Sequence, residues 1–141
     1  MKYYFKIITL IILISVPNIL LAEKNFFDEG KNYFKKKEFE KAKFKFEQDI
    51  VFHPKNENSY LYLAKIFKLE DKLALANENL NTVILLNPKN EEAIYHLAKL
   101  KLKNSDYEGV KELLKKFGKV CSKLCNKSEE IKKELQLSLK K

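Results

Sequence analysis

Residues 57–90 read ENSYLYLAKIFKLEDKLALANENLNTVILLNPKN and contain two short apolar stripes. The first stripe consists of Tyr60, Leu63, Ala64 and Phe67, and the second of Leu73, Ala76, Leu80 and Val83. Within each stripe the residues recur three or four positions apart, which places them on one face of a helix. Because the charged residues 70–72 lie between the two stripes, this segment is predicted to form an antiparallel helical hairpin.

The same pattern recurs along the chain with a period of 34 residues. Residues that recur at this offset include Ala42 as Ala76, Pro54 as Pro88, Asn56 as Asn90, Leu63 as Leu97 and Ala64 as Ala98. Pro54 and Pro88 are predicted to end the second helix of their units, because the residue before a proline is disfavoured in the α region. A fixed period of this length indicates stacked supersecondary units.

The composition agrees with a helical chain of one domain. Of the 141 residues, 45% are hydrophobic, which is enough for a core. The three Gly and three Pro are too few for an all-β chain built on tight turns. All 28 basic residues are lysines, against 19 acidic ones. Recognition of phosphates and base edges favours the planar arginine side chain, so no nucleic-acid partner is expected.

The repeated units resemble the tetratricopeptide repeat family, whose two-helix repeat has this period. Residues of the first unit that match the family pattern are Phe26, Gly30, Tyr33, Ala42, Phe46 and Pro54. The third unit is degenerate, since Lys101, Val110 and Ser122 stand where an aromatic residue, an alanine and a proline are expected. The resemblance implies an all-α superhelical solenoid with helical hairpins at residues 23–56, 57–90 and 91–124 and a capping helix at residues 125–141.

A stack of three hairpins needs a terminal cap, because each hairpin buries its apolar face only against a neighbour. Residues 125–141 fit this role. Ser128 is predicted as the N-cap, and Ile131, Leu135 and Leu139 form the apolar stripe that covers the third hairpin. Glu134 is expected to face outward with the lysines of this segment.

Residues 1–22, MKYYFKIITLIILISVPNILLA, read as a signal peptide. Lys2 and Lys6 precede an apolar run from residue 7 to residue 16, and Ala22 offers a small residue for cleavage. Export to the periplasm or cell envelope is therefore expected. The alternative is an uncleaved anchor in the inner membrane, formed by residues 7–22, although a helix of that length spans roughly 24 Å of a hydrocarbon core about 30 Å thick.

No catalytic constellation, metal site or cofactor motif is expected. His53 and His96 have no cysteine or carboxylate at metal-ligand spacing, so both are interpreted as solvated or packed side chains. The chain has no glycine-rich phosphate loop and no Gly-x-Ser-x-Gly turn. An enzyme is accordingly not expected.

Cys121 and Cys125 form a Cys-x₃-Cys pair whose role the sequence leaves open. In an oxidising compartment a structural disulfide is plausible, placed after a helix that Gly118 is predicted to end. Free thiols and a redox or metal role are the alternatives.

The resemblance also implies a binding surface, since in this family the first helix of each hairpin lines a concave groove that receives peptides. The groove positions carried over to this sequence are Phe27, Lys31, Phe34, Lys35, Leu61, Lys65, Leu69, Tyr95, Lys99 and Lys103, with Lys68 and Leu102 at two further positions. Lysine occupies the ninth position of every unit. The family members that hold a chain-terminal carboxylate have asparagine there in the first repeat, where this chain has Lys31. A hydrophobic segment with acidic residues is therefore the expected ligand.

The function expected from these features is protein binding, as an exported adaptor or assembly factor of a bacterial cell envelope. Three alternatives stay open: a structural subunit that forms homo-oligomers through the same groove, a signal-anchored subunit of a membrane complex, and a protein that binds anionic envelope polymers. The lysines are also consistent with a role in solubility alone.

Overall fold

The structure, a computed structural model, describes residues 25–140. The helices in this part of the chain are α1 (Phe26–Lys35), α2 (Phe39–Phe52), α3 (Glu57–Leu69), α4 (Leu73–Leu86), α5 (Glu91–Lys103), α6 (Tyr107–Val120) and α7 (Cys125–Ser138). The predicted signal peptide and the alternative anchor lie outside the described residues. Between residues 25 and 140, no helix is both long and apolar enough to cross a membrane.

The six helices α1 to α6 pack as three antiparallel hairpins that follow one another along the stack. The turn inside each hairpin places one residue in the left-handed region, and these residues, Lys37, Asp71 and Ser105, lie 34 positions apart with φ of 61°, 56° and 58°. The residue that follows donates its N–H to a carbonyl near the end of the first helix in all three turns. The period seen in the sequence is thus also a period of backbone conformation.

The second helices of the first two hairpins end before Pro54 and Pro88, as predicted. Helix α2 ends two residues before Pro54, and α4 ends two residues before Pro88. Asn56 and Asn90 then cap α3 and α5, because their side-chain oxygens accept hydrogen bonds from backbone N–H groups of the first helical turn.

Carboxylates hold these inter-repeat turns. Asp49, which is buried, accepts hydrogen bonds from Ser59 Oγ at 2.5 Å and Asn56 Nδ2 at 2.6 Å, and its Oδ1 lies 2.9 Å from His53 Nδ1. Glu57 accepts from Asn87 Nδ2 at 2.5 Å in the next turn. Since Asp49 is satisfied by partners, its burial serves the fold rather than chemistry.

The helices approach closely where the sequence has small residues. Ala42, Ala64, Ala76 and Ala98 are buried, as the repeat pattern predicts. Gly30 in α1 lies so close to the Phe46 ring of α2 that a Cβ atom at residue 30 would be 2.7 Å from Phe46 Cε1. Gly30 is therefore required by the packing of the first hairpin.

The segment from α6 to α7 differs from the prediction in three respects. Gly118 does not end α6, which continues to Val120. Helix α7 begins at Cys125, so Ser128 is not its N-cap but a buried residue of its first turn. Of the predicted apolar stripe, Ile131 and Leu135 are buried whereas Leu139 is 54% exposed.

Glu91 at the start of α5 explains where α7 begins. Its carboxylate accepts hydrogen bonds from the backbone N–H groups of Ser122, Lys123 and Leu124, at 2.6 to 3.2 Å. These hydrogen bonds, above all the one from Leu124, lower the pKa of Glu91 to about 2. A disulfide between Cys121 and Cys125 joins the two ends of the same loop.

We predict that Gly30→Ala destabilises the protein by about 1–3 kcal/mol, because the added methyl group overpacks the contact with Phe46. Gly118→Ala is the matched control. Its Cβ would meet no atom within 4 Å, and alanine is favoured over glycine inside a helix by roughly 0.5–1 kcal/mol. Thermal unfolding of both variants checks this, and equal melting temperatures would contradict the packing described here.

Candidate functional site

The helices α1, α3, α5 and α7 share one surface, which we call the inner face. Side chains on each of these helices contact the neighbouring helix of the inner face. The centroid of the Phe27 ring on α1 lies 5.9 Å from that of Tyr62 on α3. Farther along, Lys65 on α3 pairs with Glu92 on α5, and Tyr95 on α5 donates to α7. Phe27, Lys65 and Tyr95, three of the predicted groove residues, therefore lie on one surface.

Aromatic rings gather at the α1 end of the inner face. Tyr62 is central, since its ring centroid lies 4.9 Å from that of Phe46, 5.0 Å from that of Phe34 and 5.9 Å from that of Phe27. Phe27, Phe34 and Tyr62 are half-buried, so each ring keeps an accessible part. The sequence analysis missed Tyr62, although the two phenylalanines of α1 needed an apolar neighbour on α3 to shelter them.

The three lysines at the ninth positions are on this face, but each already has an acidic partner. Lys31 Nζ lies 3.5 Å from Asp28 and 5.2 Å from the centroid of the Phe27 ring. The corresponding partners are Glu92 for Lys65, at 2.7 Å, and Glu134 for Lys99, at 2.5 Å. Lys103 pairs with Asp71 at 2.9 Å. Of these four pairs, the Lys31 pair has the longest distance between nitrogen and oxygen.

Glu92 links two of the basic groups. Its Oε1 contacts Lys65, and the same oxygen lies 3.6 Å from His96 Nε2. Interaction with His96, and then with Lys65, lowers the pKa of Glu92 to about 2. On its other side, His96 Nδ1 lies 3.1 Å from Lys68 Nζ. Lys65, Glu92, His96 and Lys68 thus form one polar chain between α3 and α5.

Helix α7 contributes two carboxylates to the inner face. Tyr95 Oη donates to Glu130 at 2.9 Å, and Lys127 Nζ lies 2.9 Å from the same carboxylate. Lys127 first, and then Tyr95, lowers the pKa of Glu130 to about 2. Burial raises the pKa of Tyr95, and the Glu130 carboxylate adds to this. The expectation that Glu134 faces outward is wrong, because its carboxylate contacts Lys99.

One predicted groove residue is not available to a ligand. Leu61 is only 4% exposed and belongs to the hydrophobic core with Ala93 and Ile94 of the next unit. Its assignment as a lining residue is therefore corrected: the fifth position of the second unit packs against the third unit. By contrast, Lys35 is exposed and Leu69 is 63% exposed.

Within residues 25–140, no group of three or more histidine, cysteine or acidic side chains is arranged to hold a metal ion. The polar groups of the inner face include lysines, carboxylates, Tyr62, Tyr95 and His96, and several of them pair between helices. Such an arrangement offers charged and apolar groups for contact with another molecule.

Solved structures with the same arrangement of helices were found at low sequence identity. One is the first TPR of Spaghetti (RPAP3) bound to the HSP90 peptide SRMEEVD, with 18% identity, a TM-score of 0.70, and coverage of 79% of this chain and 89% of that chain. The complex of the TPR2B domain of yeast Sti1 with pHsp70 has 20% identity and a TM-score of 0.67, and covers 79% and 91%.

A third similar structure is the type III secretion chaperone SycD of Yersinia enterocolitica in complex with a peptide of the translocator YopD. It has 14% identity and a TM-score of 0.70, with coverage of 80% of this chain and 88% of that chain. No protein-family model and no curated protein matches the sequence. The similarities to the three solved structures establish the fold.

We predict that Glu92 contributes stability that is lost in acid. Because folding lowers its pKa from the ordinary 4.5 to about 2, the contribution is present above about pH 4.5 and disappears as the pH falls toward 2. Glu92→Gln should lower the melting temperature at pH 6 and should also lose less stability than the wild type between pH 5 and pH 3.

The matched control is Glu108→Gln, since the Glu108 carboxylate is 82% exposed and pairs with Lys111 only at the surface. Its melting temperature should follow the wild type at each pH. Identical acid profiles for Glu92→Gln and Glu108→Gln would contradict the role assigned to Glu92.

Proposed function

The chain has the tetratricopeptide repeat fold, and we propose that it is an exported protein-interaction module that binds a segment of a partner protein along its inner face. The observation that carries the proposal is the alignment of partly accessible aromatic rings and lysines on α1, α3 and α5. In the three solved structures named above, a domain of this fold is in complex with a peptide or with pHsp70.

The chemistry of the inner face favours a segment that has both apolar and acidic residues. Phe27, Phe34 and Tyr62 provide an apolar floor that keeps part of each ring accessible. Lys31 and Lys35 lie on the same helix, and within the described part of the chain Asp28, 3.5 Å from Lys31, is the only carboxylate within 4 Å of either ammonium group. At Lys65 and Lys99 an acidic partner would have to compete with Glu92 and Glu134, so these lysines orient the segment more than they add affinity.

We further propose that the protein acts in a bacterial cell envelope, as an adaptor or assembly factor in the periplasm. Two features support this location: the signal-like pattern of residues 1–22, and the disulfide between Cys121 and Cys125, which an oxidising compartment favours. Retention of residues 7–22 as an inner-membrane anchor would place the same binding face at the membrane surface.

The proposal predicts that Lys31→Glu weakens peptide binding about tenfold, because an acidic segment then meets a like charge. Lys111→Glu is the matched control: Lys111 lies on the second helix of the third hairpin and, like Lys31, pairs with an acidic residue three positions before it. Peptides selected by phage display on the chain without residues 1–22 would be measured by fluorescence anisotropy.

Equal weakening by the two substitutions would indicate a general effect of net charge and would contradict binding at the inner face. Light scattering on the same sample adds a second readout. A stable oligomer that excludes the selected peptides would favour a homo-oligomeric subunit over an adaptor.

A further inference from the structure

A cleft of about 460 Å³ lies at the inner face, between α3, α5, α7 and the first residue of α4. It is distinct from the aromatic rings, which gather toward α1. Residues that line it include Lys68, Leu73, Lys99, Leu102, Lys103 and Glu134. Three lysines therefore face one carboxylate in a cleft that also has three leucine side chains, those of Leu73, Leu100 and Leu102.

The lysines of this cleft differ in their partners. Lys99 pairs with Glu134 at 2.5 Å, and Lys103 pairs with Asp71 at 2.9 Å. Lys68 is different, because no carboxylate of residues 25–140 lies within 4 Å of its Nζ. Among the described side chains, its hydrogen-bonding contact is with His96 Nδ1, at 3.1 Å.

The surroundings of His96 indicate which group donates the hydrogen bond between Lys68 and His96. Its Nε2 faces the Glu92 carboxylate at 3.6 Å, which favours a proton on Nε2 and a lone pair on Nδ1. Lys68 then donates one N–H to His96. An ammonium group has three N–H donors, so two remain for another acceptor in the cleft.

The environment of Lys68 disfavours its charged form. Burial lowers the pKa of Lys68, and the nearby charges of Lys99 and Lys65 lower it further. A half-buried cation that lacks a counter-charge and faces like charges does not stabilise the folded chain. Groups in such environments are over-represented at functional sites.

We propose that Lys68 binds a carboxylate of the partner segment in this cleft, with Leu73 and Leu102 in contact with an apolar side chain next to it. The inference rests on the proposed function and identifies the anionic group that the inner face recognises. The carboxylate comes either from an acidic side chain or from the C-terminus of the segment.

Three synthetic peptides separate these sources. Acetyl-SLELFEEL-amide has side-chain carboxylates only, acetyl-SLQLFQQL with a free C-terminus has the terminal carboxylate only, and acetyl-SLQLFQQL-amide has neither. Wild type is expected to prefer one of the first two, and Lys68→Gln should weaken that peptide about tenfold through loss of a charge-assisted hydrogen bond. The neutral peptide should bind both proteins equally.

Lys111→Gln is the matched control and should leave all three affinities unchanged. Thermal unfolding monitors the fold of each variant, and Lys68→Gln is expected to melt no lower than the wild type. A second readout needs no variant: NMR titration of the Lys68 side chain should show that its pKa rises on saturation with the preferred peptide, because a carboxylate favours the ammonium form.

Two results would overturn the inference. One is an affinity of Lys68→Gln for the carboxylate peptides equal to that of the wild type, and the other is a Lys68 pKa unchanged on saturation. If Lys31→Glu still weakens peptide binding in either case, the proposed function survives and only the role of Lys68 is wrong. If no peptide binds and Lys31→Glu has no effect, both fail together.

Discussion

The close approach of paired helices is the constraint on which the rest of the structure depends. Gly30 against Phe46 is one such close contact, and the buried alanines of α2 to α5 serve the same purpose in the first two hairpins and at the start of the third. The hairpins repeat every 34 residues and stack with their first helices side by side. That stacking produces an inner face on which residues 34 or so positions apart become neighbours.

The electrostatics of the inner face follow from this stacking. A lysine on one first helix meets a carboxylate on the next, as Lys65 meets Glu92 and Lys99 meets Glu134. These pairs link neighbouring units and leave few free cations for a partner. Lys68 differs from these lysines, because it is half-buried and no carboxylate of residues 25–140 lies within 4 Å of its ammonium group. On our proposal it provides the place for an anion.

The sequence was sufficient to predict what depends on local pattern. The hairpins, the helix ends before Pro54 and Pro88 and the small residues at helix contacts all follow from spacing within one unit. The start of α7 was not predictable in this way, because it depends on hydrogen bonds from Leu124 and its neighbours to Glu91, more than thirty residues away. The burial of Leu61 and the partners of the lysines likewise depend on the packing of adjacent units, which spacing within one unit does not reveal.

The central claim is that a partner segment lies along α1, α3 and α5 and is recognised there through apolar contacts and an anionic group. A crystal structure of the chain with a selected peptide tests this most directly. We expect peptide density across Phe34 and Tyr62, with a carboxylate at Lys68 Nζ. Density on the opposite surface, formed by α2, α4 and α6, would contradict it.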